Sequence, residues 1–291
     1  MSDDSKNLTR RQDYSLHTHT IGFDGRNTPA EMIARAKEVG LKTFGISNHF
    51  IVHPDITKTN FYPPAVKGKY NSIYSSSFDE AIAKFKPHYE ELKKLSYESG
   101  IKLYYGLEMD FFDSHDWFVG FDRTLRELQP DYVICASHFI EYDGMLRNVY
   151  DMGNADEKAR NEMLKRYWDK MARAGETGLF NWMAHIDLPK KVGVGNEERW
   201  AEYERYAIDK IASSNTAIEI NTSGYNRGAT EPYPSSRILK MVATKGVPVL
   251  ISDDAHCVEH IGRHFDRAAD FAKACGVTKL LTCGNILGKT Y

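Results

Sequence analysis

Histidine and acidic side chains recur where short apolar segments of this sequence end, and the first of them are His17 and His19. Two residues at positions i and i+2 of a strand project from the same face, so both imidazoles could bind one metal ion. Further groups of this kind follow later segments, namely Asn48-His49, Glu108, Ser137-His138, His185 and Asp187, Glu219 and Asn221, and Asp253, Asp254 and His256. Imidazoles and carboxylates together suit Zn, Mn or Fe.

The elements that must position these residues follow from the hydrophobic pattern. Short β-branched or aromatic segments alternate with longer amphipathic ones, which is typical of parallel strands joined by helices. We predict strands near 14–19, 43–47, 102–108, 132–137, 180–185, 217–221 and 247–252. We predict helices over 30–39, 78–99, 155–174, 197–213, 235–244 and 259–274. Seven such units favour a nearly closed barrel, although periodicity alone leaves an open doubly wound sheet as an alternative.

In a βα barrel the loops that follow the strands meet at one rim, where active sites are built. A single histidine such as His138 is as often a hydrogen-bonded core residue as a ligand. The whole set is different, because burying so many imidazoles and carboxylates at strand ends costs several kcal/mol for each unpaired charge unless a cation compensates them. The sequence therefore predicts a metal centre at this rim.

Composition narrows the class of partner. The 291 residues include 38 Lys and Arg against 40 Asp and Glu, for a formal net charge of −2, so nothing indicates binding to nucleic acid or to an anionic membrane. A small molecule is the expected partner. The four cysteines show no C-x-x-C pairing, which argues against a disulfide framework or a thiolate zinc site and fits a reducing cytoplasm.

The chain is expected to form one domain over 13–291, after a flexible segment over 1–12. This segment is polar and lacks the apolar stretch that is typical of a signal peptide. No stretch approaches the length of a membrane-spanning helix. An irregular segment around 51–77, rich in Tyr, Ser, Pro and Lys, is predicted to be an insertion that forms a lid or a pocket wall.

Together these motifs resemble those of the polymerase-and-histidinol-phosphatase (PHP) superfamily, and its histidinol-phosphatase branch in particular. The resemblance extends from Tyr14 to about Gly262 and is most specific in the segments 219–224 and 254–256. It implies a distorted (β/α)₇ barrel of the TIM-like α/β class that holds up to three divalent metal ions, with Zn, Mn and Fe as the candidates.

The resemblance also implies which residues bind the metals. It assigns one ion to His17, His19, Glu108 and Asp254, and a second ion to Glu108, His138 and His185. A third ion would bind His49, His256 and an acidic residue after the first motif, for which Asp24 is the candidate. Asn48 stands where relatives often have an acidic residue, and Asp253 stands where many have Ser.

The activity that the resemblance implies is hydrolysis of L-histidinol phosphate, a step of histidine biosynthesis, by a metal-activated hydroxide. Asp254, His256 and Asp187 are the candidate catalytic residues, for proton transfer or for orienting a ligand. A phosphate ester also needs cations, and Arg227, Lys190 and Lys191 lie in loops that face the predicted rim. Four aromatic residues of the insertion are candidates for stacking on a substrate ring, and they are Phe61, Tyr62, Tyr70 and Tyr74.

Three alternatives remain at this point. The enzyme could act on another small phosphate ester. An amidohydrolase-type enzyme also uses His-x-His and a final Asp on a barrel, but Glu108, His256 and the missing Lys after the fourth strand argue against it. A non-catalytic, metal-stabilised module has no physical need for so many costly buried polar groups. The sequence leaves open the oligomeric state, the identity of the metals and the occupancy of the third site.

Overall fold

A computed structural model describes residues 12–62, 73–214, 216–227 and 229–288 of the chain. These residues divide into two compact units. The first unit comprises Gln12–Ile134 and Ser252–Arg263, and the second comprises Cys135–Ile251 and the described part of His264–Tyr291. The expected flexible segment lies outside the described residues except for Gln12, and the single-domain organisation stays a prediction.

Parallel pairing dominates the strands of both units. In chain order the strands are β1 (Tyr14–Ser15), β2 (Thr43–Ile46), β3 (His49–Val52), β4 (Tyr74–Ser75), β5 (Lys102–Asp110), β6 (Tyr132–Ala136), β7 (Phe139–Tyr142), β8 (Met145–Asn148), β9 (Trp182–Met183), β10 (Ala217–Asn221) and β11 (Val249–Ser252). Only β7 and β8, joined by a two-residue turn at Asp143 and Gly144, form an antiparallel hairpin among the pairs described. Both turn residues have positive φ, as a tight hairpin turn requires.

The α-helices of the described chain lie between these strands and after the last of them. They are α1 (Pro29–Glu38), α2 (Phe78–Glu98), α3 (His115–Leu128), α4 (Asp151–Asn154), α5 (Glu157–Thr177), α6 (Ala201–Ser213), α7 (Ser236–Thr244), α8 (Phe265–Ala274) and α9 (Cys283–Leu287). No helix among the described residues combines the length and hydropathy needed to cross a membrane.

Local sequence explains where the main helices begin. Thr28 caps α1 in a reciprocal capping box with Glu31, and Pro29 occupies the first helical turn. Ser77 accepts a hydrogen bond from the backbone of Glu80 at the start of α2, and Ser114 does the same for Trp117 at the start of α3.

The sheet of the first unit is built on β5. Strand β2 pairs in parallel with both β1 and β5, and β3 pairs with the far end of β5, where His49 lies opposite Glu108. The extended segment after β1 is held on both sides, because Ser47 N–H donates to Thr18 O at 2.9 Å and His19 N–H donates to Ala255 O at 2.8 Å. The ends of β1, β2 and β5 therefore lie beside the segment that follows β11.

In the second unit the short strand β9 pairs in parallel with β10, with Ala217 opposite Trp182. Cys135 O accepts a hydrogen bond from Ala184 N–H at 2.8 Å, which links the end of β6 to the residues after β9. Helices α5 and α6 pack against each other and bury side chains such as Trp168 and Ile208 completely.

Each of the seven predicted strands overlaps an observed strand, although β5 is two residues longer than predicted and both β1 and β9 are only two residues long. Strand β1 ends at Ser15, since the following residues alternate between partners on two sides. The predicted helix over 259–274 was wrong over 259–264, where Val258–His260 form a 3-10 turn and no α-helix is present. Gly262 and His264 have positive φ, which is incompatible with a continuous right-handed helix, so α8 begins only at Phe265.

Several observed elements were not predicted from the sequence. Helix α3 was not predicted, although Trp117, Phe121 and Leu128 form a buried stripe at helical spacing. The hairpin of β7 and β8 was not predicted either. The first residues of the expected insertion belong to β3, a regular strand, while residues 63–72 of that insertion lie outside the described chain.

Candidate metal centre

Seven of the predicted metal ligands lie in the first unit. They come from the segments after β1, β2 and β11 and from β5 itself, and are His17, His19, Asp24, His49, Glu108, Asp254 and His256. Ligand atoms from different side chains approach within 4.8 Å of one another in two overlapping groups, which are His19, Asp24, His49 and His256 on the one hand and His17, His19 and Asp254 on the other. His19 belongs to both groups.

The Asp24 carboxylate lies among three imidazoles. Its Oδ2 is 2.8 Å from Nε2 of His256 and 3.1 Å from Nε2 of His49. Its Oδ1 is 3.4 Å from Nδ1 of His19. The ring of His19 is 4.3 Å from that of His49 and 4.2 Å from that of His256, measured between centroids. One carboxylate and three imidazoles within this reach can bind a single divalent ion.

Asp254 and Glu108 contact the other group. Asp254 Oδ1 is 3.2 Å from Nε2 of His19 and 3.6 Å from Nε2 of His17. Glu108 Oε1 is 3.3 Å from Nε2 of His17, and its Oε2 is 2.5 Å from Nδ1 of His49. Glu108 thus reaches a histidine of each group.

The fit to a metal ion can be tested at His19. Its side chain is fully buried, and neither ring nitrogen has a hydrogen-bond partner, although Asp24 and Asp254 oxygens lie at 3.4 and 3.2 Å. Two buried ring nitrogens without hydrogen bonds are costly. The ring nitrogens of His19 and the oxygens of Asp24 and Asp254 face one another as ligand atoms do around a shared cation. The residues therefore fit a divalent metal.

Charge in the cluster leads to the same conclusion. Burial would raise the pKa of Asp24, but the His256, His49 and His19 imidazoles lower it well below its usual range. Burial would lower the pKa of His49, but the carboxylates of Asp24 and Glu108 raise it well above the usual range. Without a metal, protons on imidazole must therefore balance the carboxylates, and a divalent cation can take their place.

His19 behaves differently from His49. Burial, together with the positive charge of His256 and His49, lowers the pKa of His19 to about 4. Its imidazole is therefore neutral near pH 7, which is the form that ligates metals.

Local backbone features bring the ligands into place. The loop from Thr20 folds back on itself, with Gly25 N–H donating to Thr20 O, and a Cβ at Gly25 would lie 2.5 Å from His19 O. Only glycine fits that approach, which places Asp24 beside His19. Asp254 adopts φ 48°, a left-handed conformation that Asp tolerates. The backbone oxygen of Asp254 lies 2.9 Å from Nδ1 of His256, which assigns the proton to Nδ1 and leaves Nε2 as the ligand atom.

Two further predicted ligands, His138 and His185, lie in the second unit. The centroids of their rings are 5.2 Å apart, and the ring planes are inclined at 67°. The segment of His185 is held by Glu219, a fully buried carboxylate that accepts hydrogen bonds from His185 N–H at 2.9 Å, from Trp182 Nε1 at 3.0 Å and from Asn221 Nδ2 at 2.7 Å. Glu219 therefore fixes the backbone that presents His185.

The second unit also holds the candidate phosphate-binding residues. Lys190 and Lys191 line a pocket of about 560 Å³ together with Tyr233 and Ser235. The ammonium group of Lys190 lies 4.7 Å from the centre of the Tyr233 ring and 3.2 Å from Asp187 Oδ2. Asp187 Oδ2 also accepts the N–H of Ser235 at 2.8 Å. The predicted catalytic Asp187 is thus in contact with a predicted substrate-binding lysine.

The remaining predicted substrate-binding residues are Lys191, Arg227 and the aromatic residues of the insertion. The ammonium group of Lys191 lies 5.0 Å from the centre of the Tyr150 ring. Arg227 ends the 3-10 segment Thr222–Arg227, and its side chain is outside the described part of the chain. Among the aromatic residues of the insertion, Tyr70 lies outside the described residues as well.

His88 on α2 was not among the candidate residues identified from the sequence, but it contacts a residue next to the metal ligands. The side chain is only 9% exposed, and Nε2 lies 2.8 Å from the amide nitrogen of Asn48. A signal was present, because His88 continues the buried stripe formed by Ala81, Phe85 and Leu92 at helical spacing.

Comparison with known families decides the class of the protein. The family model described as the PHP domain matches residues 13–223. The chain belongs to the PHP family. This match confirms the predicted family and disfavours the amidohydrolase alternative.

Two curated relatives and one solved structure are similar over most of this PHP chain. The probable histidinol-phosphatase of Deinococcus radiodurans is 26% identical over 89% of this chain and 91% of its own length. The histidinol-phosphatase of Lactococcus lactis is 23% identical over 94% of each chain. The crystal structure of histidinol phosphate phosphatase from Lactococcus lactis, complexed with zinc, L-histidinol and phosphate, matches with a TM-score of 0.69 and 19% identity, covering 94% of this chain and 98% of that one. This likeness confirms the predicted α/β, TIM-like barrel fold of the PHP type.

Proposed function

We propose that this PHP protein is a metal-dependent phosphomonoesterase that hydrolyses L-histidinol phosphate to L-histidinol and phosphate. The observation that carries the proposal is the convergence of imidazoles and carboxylates around His19 in the first unit. The substrate follows from the similarity to proteins named histidinol-phosphatase, two of which align with about nine-tenths of this chain or more.

We assign metal binding to the same nine residues that the family resemblance implies. His17, His19, Asp24, His49, Glu108, Asp254 and His256 would bind ions in the first unit, and His138 and His185 would bind a further ion. Zinc is the favoured metal, since the Lactococcus lactis structure contains it, with manganese and iron as alternatives. Two or three such ions would supply an activated water for attack on phosphorus and neutralise charge on the phosphoryl oxygens.

The residues of the chain have separate tasks in this proposal. His256 holds its proton on Nδ1, against the backbone oxygen of Asp254, and so keeps Nε2 available as a ligand atom. Lys190 brings positive charge to the pocket of the second unit, where Asp187 holds its ammonium group in place. We propose that Lys190, Lys191 and Arg227 bind the phosphate group, and that Asp187 acts by orienting Lys190.

Phosphate release from a panel of phosphomonoesters tests this function. The panel includes L-histidinol phosphate, small alcohol phosphates and sugar phosphates, and the apo protein is reconstituted with Zn, Mn or Fe. We expect metal-dependent release from L-histidinol phosphate that is lost in Asp254→Asn and retained in Asp270→Asn, a control at an exposed position on α8. Release from other esters alone would retain the chemistry and reject the substrate, while no release with any metal would reject both.

The cytoplasmic location expected from the sequence stays a prediction.

A further inference from the structure

A hydrogen-bond network behind the metal ligands connects Thr20, Asn48 and His88. Thr20 N–H donates to Asn48 Oδ1 at 2.8 Å. The amide nitrogen of Asn48 lies 2.9 Å from Thr20 Oγ1 and 2.8 Å from His88 Nε2. Thr20 and Asn48 are fully buried, and the side chain of His88 is 9% exposed.

The backbone donor decides how the network is protonated. Because Thr20 N–H can only donate, the Asn48 atom that faces it must be the carbonyl oxygen. The Asn48 amide nitrogen then faces His88, so His88 Nε2 must be an unprotonated acceptor and the ring proton must lie on Nδ1. Burial lowers the pKa of His88 to about 4, which agrees with a neutral ring.

The network touches three segments that carry metal ligands. Thr20 follows His19 in the chain, and Asn48 precedes His49. The backbone oxygen of Asn48 also accepts the N–H of Glu108 at 3.1 Å. The Asn48 residue therefore links the segments that carry His19 and His49, and the rings of these two histidines lie 4.3 Å apart.

We propose that His88 is a positioning residue of the metal centre, which fixes the Asn48 amide and through it the spacing of His19 and His49. This inference rests on the proposed assignment of His19, Asp24, His49 and His256 as metal ligands. The role of His88 is indirect, because its ring contacts Asn48 and aromatic side chains such as Phe23. Removal of partners that orient ligands typically weakens metal binding by about 10- to 100-fold.

Three variants separate positioning from general packing. His88→Leu removes the acceptor, whereas His88→Gln offers a carbonyl oxygen in its place. Leu92→Ala is the matched control, since Leu92 is buried one turn further along α2. Zinc dissociation constants are measured by competition with a chromophoric chelator. We expect zinc to bind about 10- to 100-fold more weakly in His88→Leu, and within about threefold of wild type in His88→Gln and Leu92→Ala. Thermal unfolding of the apo variants reports any loss of packing separately.

A second measurement examines the hydrogen bond without metal. Two-bond ¹H–¹⁵N correlation of the histidine-labelled apo protein should show His88 as the neutral Nδ1–H tautomer at pH 7. An Nε2–H tautomer or a protonated ring would overturn the inference. So would equal zinc affinity in His88→Leu and wild type, or a loss in His88→Leu that His88→Gln does not restore. A wild-type protein that binds no zinc, manganese or iron would reject the proposed function together with the inference, so the two failures are distinguishable.

Discussion

Ser15 Oγ donates a hydrogen bond of 2.6 Å to Oδ1 of Asp253, which lies 238 residues later in the chain. Both side chains are almost completely buried, and Asp253 Oδ2 accepts the N–H of Gly262 at 2.7 Å. Burial raises the pKa of Asp253 to about 6, although these two hydrogen bonds oppose the rise. Asp253 therefore fastens β1 to the segment that presents Asp254.

The Ser15→Ala variant should lose about 1 to 3 kcal/mol of unfolding free energy, because it removes a donor from a buried carboxylate. Urea denaturation of the apo protein measures this change. Ser213→Ala, at an exposed position near the end of α6, is the control and should change stability by less than about 0.5 kcal/mol. Equal losses in the two variants would show that the hydrogen bond between Ser15 and Asp253 contributes nothing specific.

The Asp24→Asn variant should lose metal, since it removes the charge that faces three imidazoles. We expect zinc affinity at this group to fall by about 100-fold or more, which corresponds to roughly 3 kcal/mol. Atomic emission after dialysis against a weak chelator counts the zinc ions retained. Asp79→Asn, at a side chain that is 83% exposed, should retain the wild-type number. If Asp24→Asn also retains that number, Asp24 is not a ligand.

Buried His88 should make stability depend on pH. Its pKa is lowered by burial from 6.5 to about 4, so between these values the unfolded chain binds a proton that the folded chain does not. Stability is therefore lost as the pH falls through this window, by about 2 to 3 kcal/mol at pH 4.5. The His88→Gln variant should lack this contribution. As the pH falls from 7 to 4.5, the unfolding free energy of His88→Gln minus that of wild type should therefore increase by that amount.

Urea denaturation of the apo proteins at the two pH values measures this difference. The control is His115→Gln, at an exposed position on α3, which should follow the wild-type pH dependence. Parallel pH profiles for wild type and His88→Gln would contradict the prediction.

The Glu219→Gln variant should destabilise the second unit, because the Glu219 carboxylate accepts hydrogen bonds from three donors. A glutamine amide would turn its NH₂ group toward at least one of them, at a cost of about 3 kcal/mol. Thermal and urea unfolding measure the loss. Glu202→Gln, at an exposed position on α6, should have an effect below about 0.5 kcal/mol, and a similar result for Glu219 would reject this role.

Much of the fold was predictable from local patterns. Helix α1 begins at Pro29, within one residue of the predicted start, and its capping box involves residues only three positions apart. The hairpin at Asp143 and Gly144 and the helix over His115–Leu128 were not predicted, although local signals for both are present in the sequence. The end of β1 was different, since it depends on hydrogen bonds to Ser47 and Ala255 from distant parts of the chain.

The sequence by itself determined the family, the βα alternation and the residue types that suit a divalent metal, because these depend on spacing along the chain. Tertiary structure alone decided which of these side chains meet. It placed Asp24 among three imidazoles through a loop that only Gly25 permits, and it turned His88 inward to contact Asn48. The physical reason is that burial and hydrogen-bond partners, which set the pKa values and orientations of these groups, arise only when residues far apart in the chain pack together.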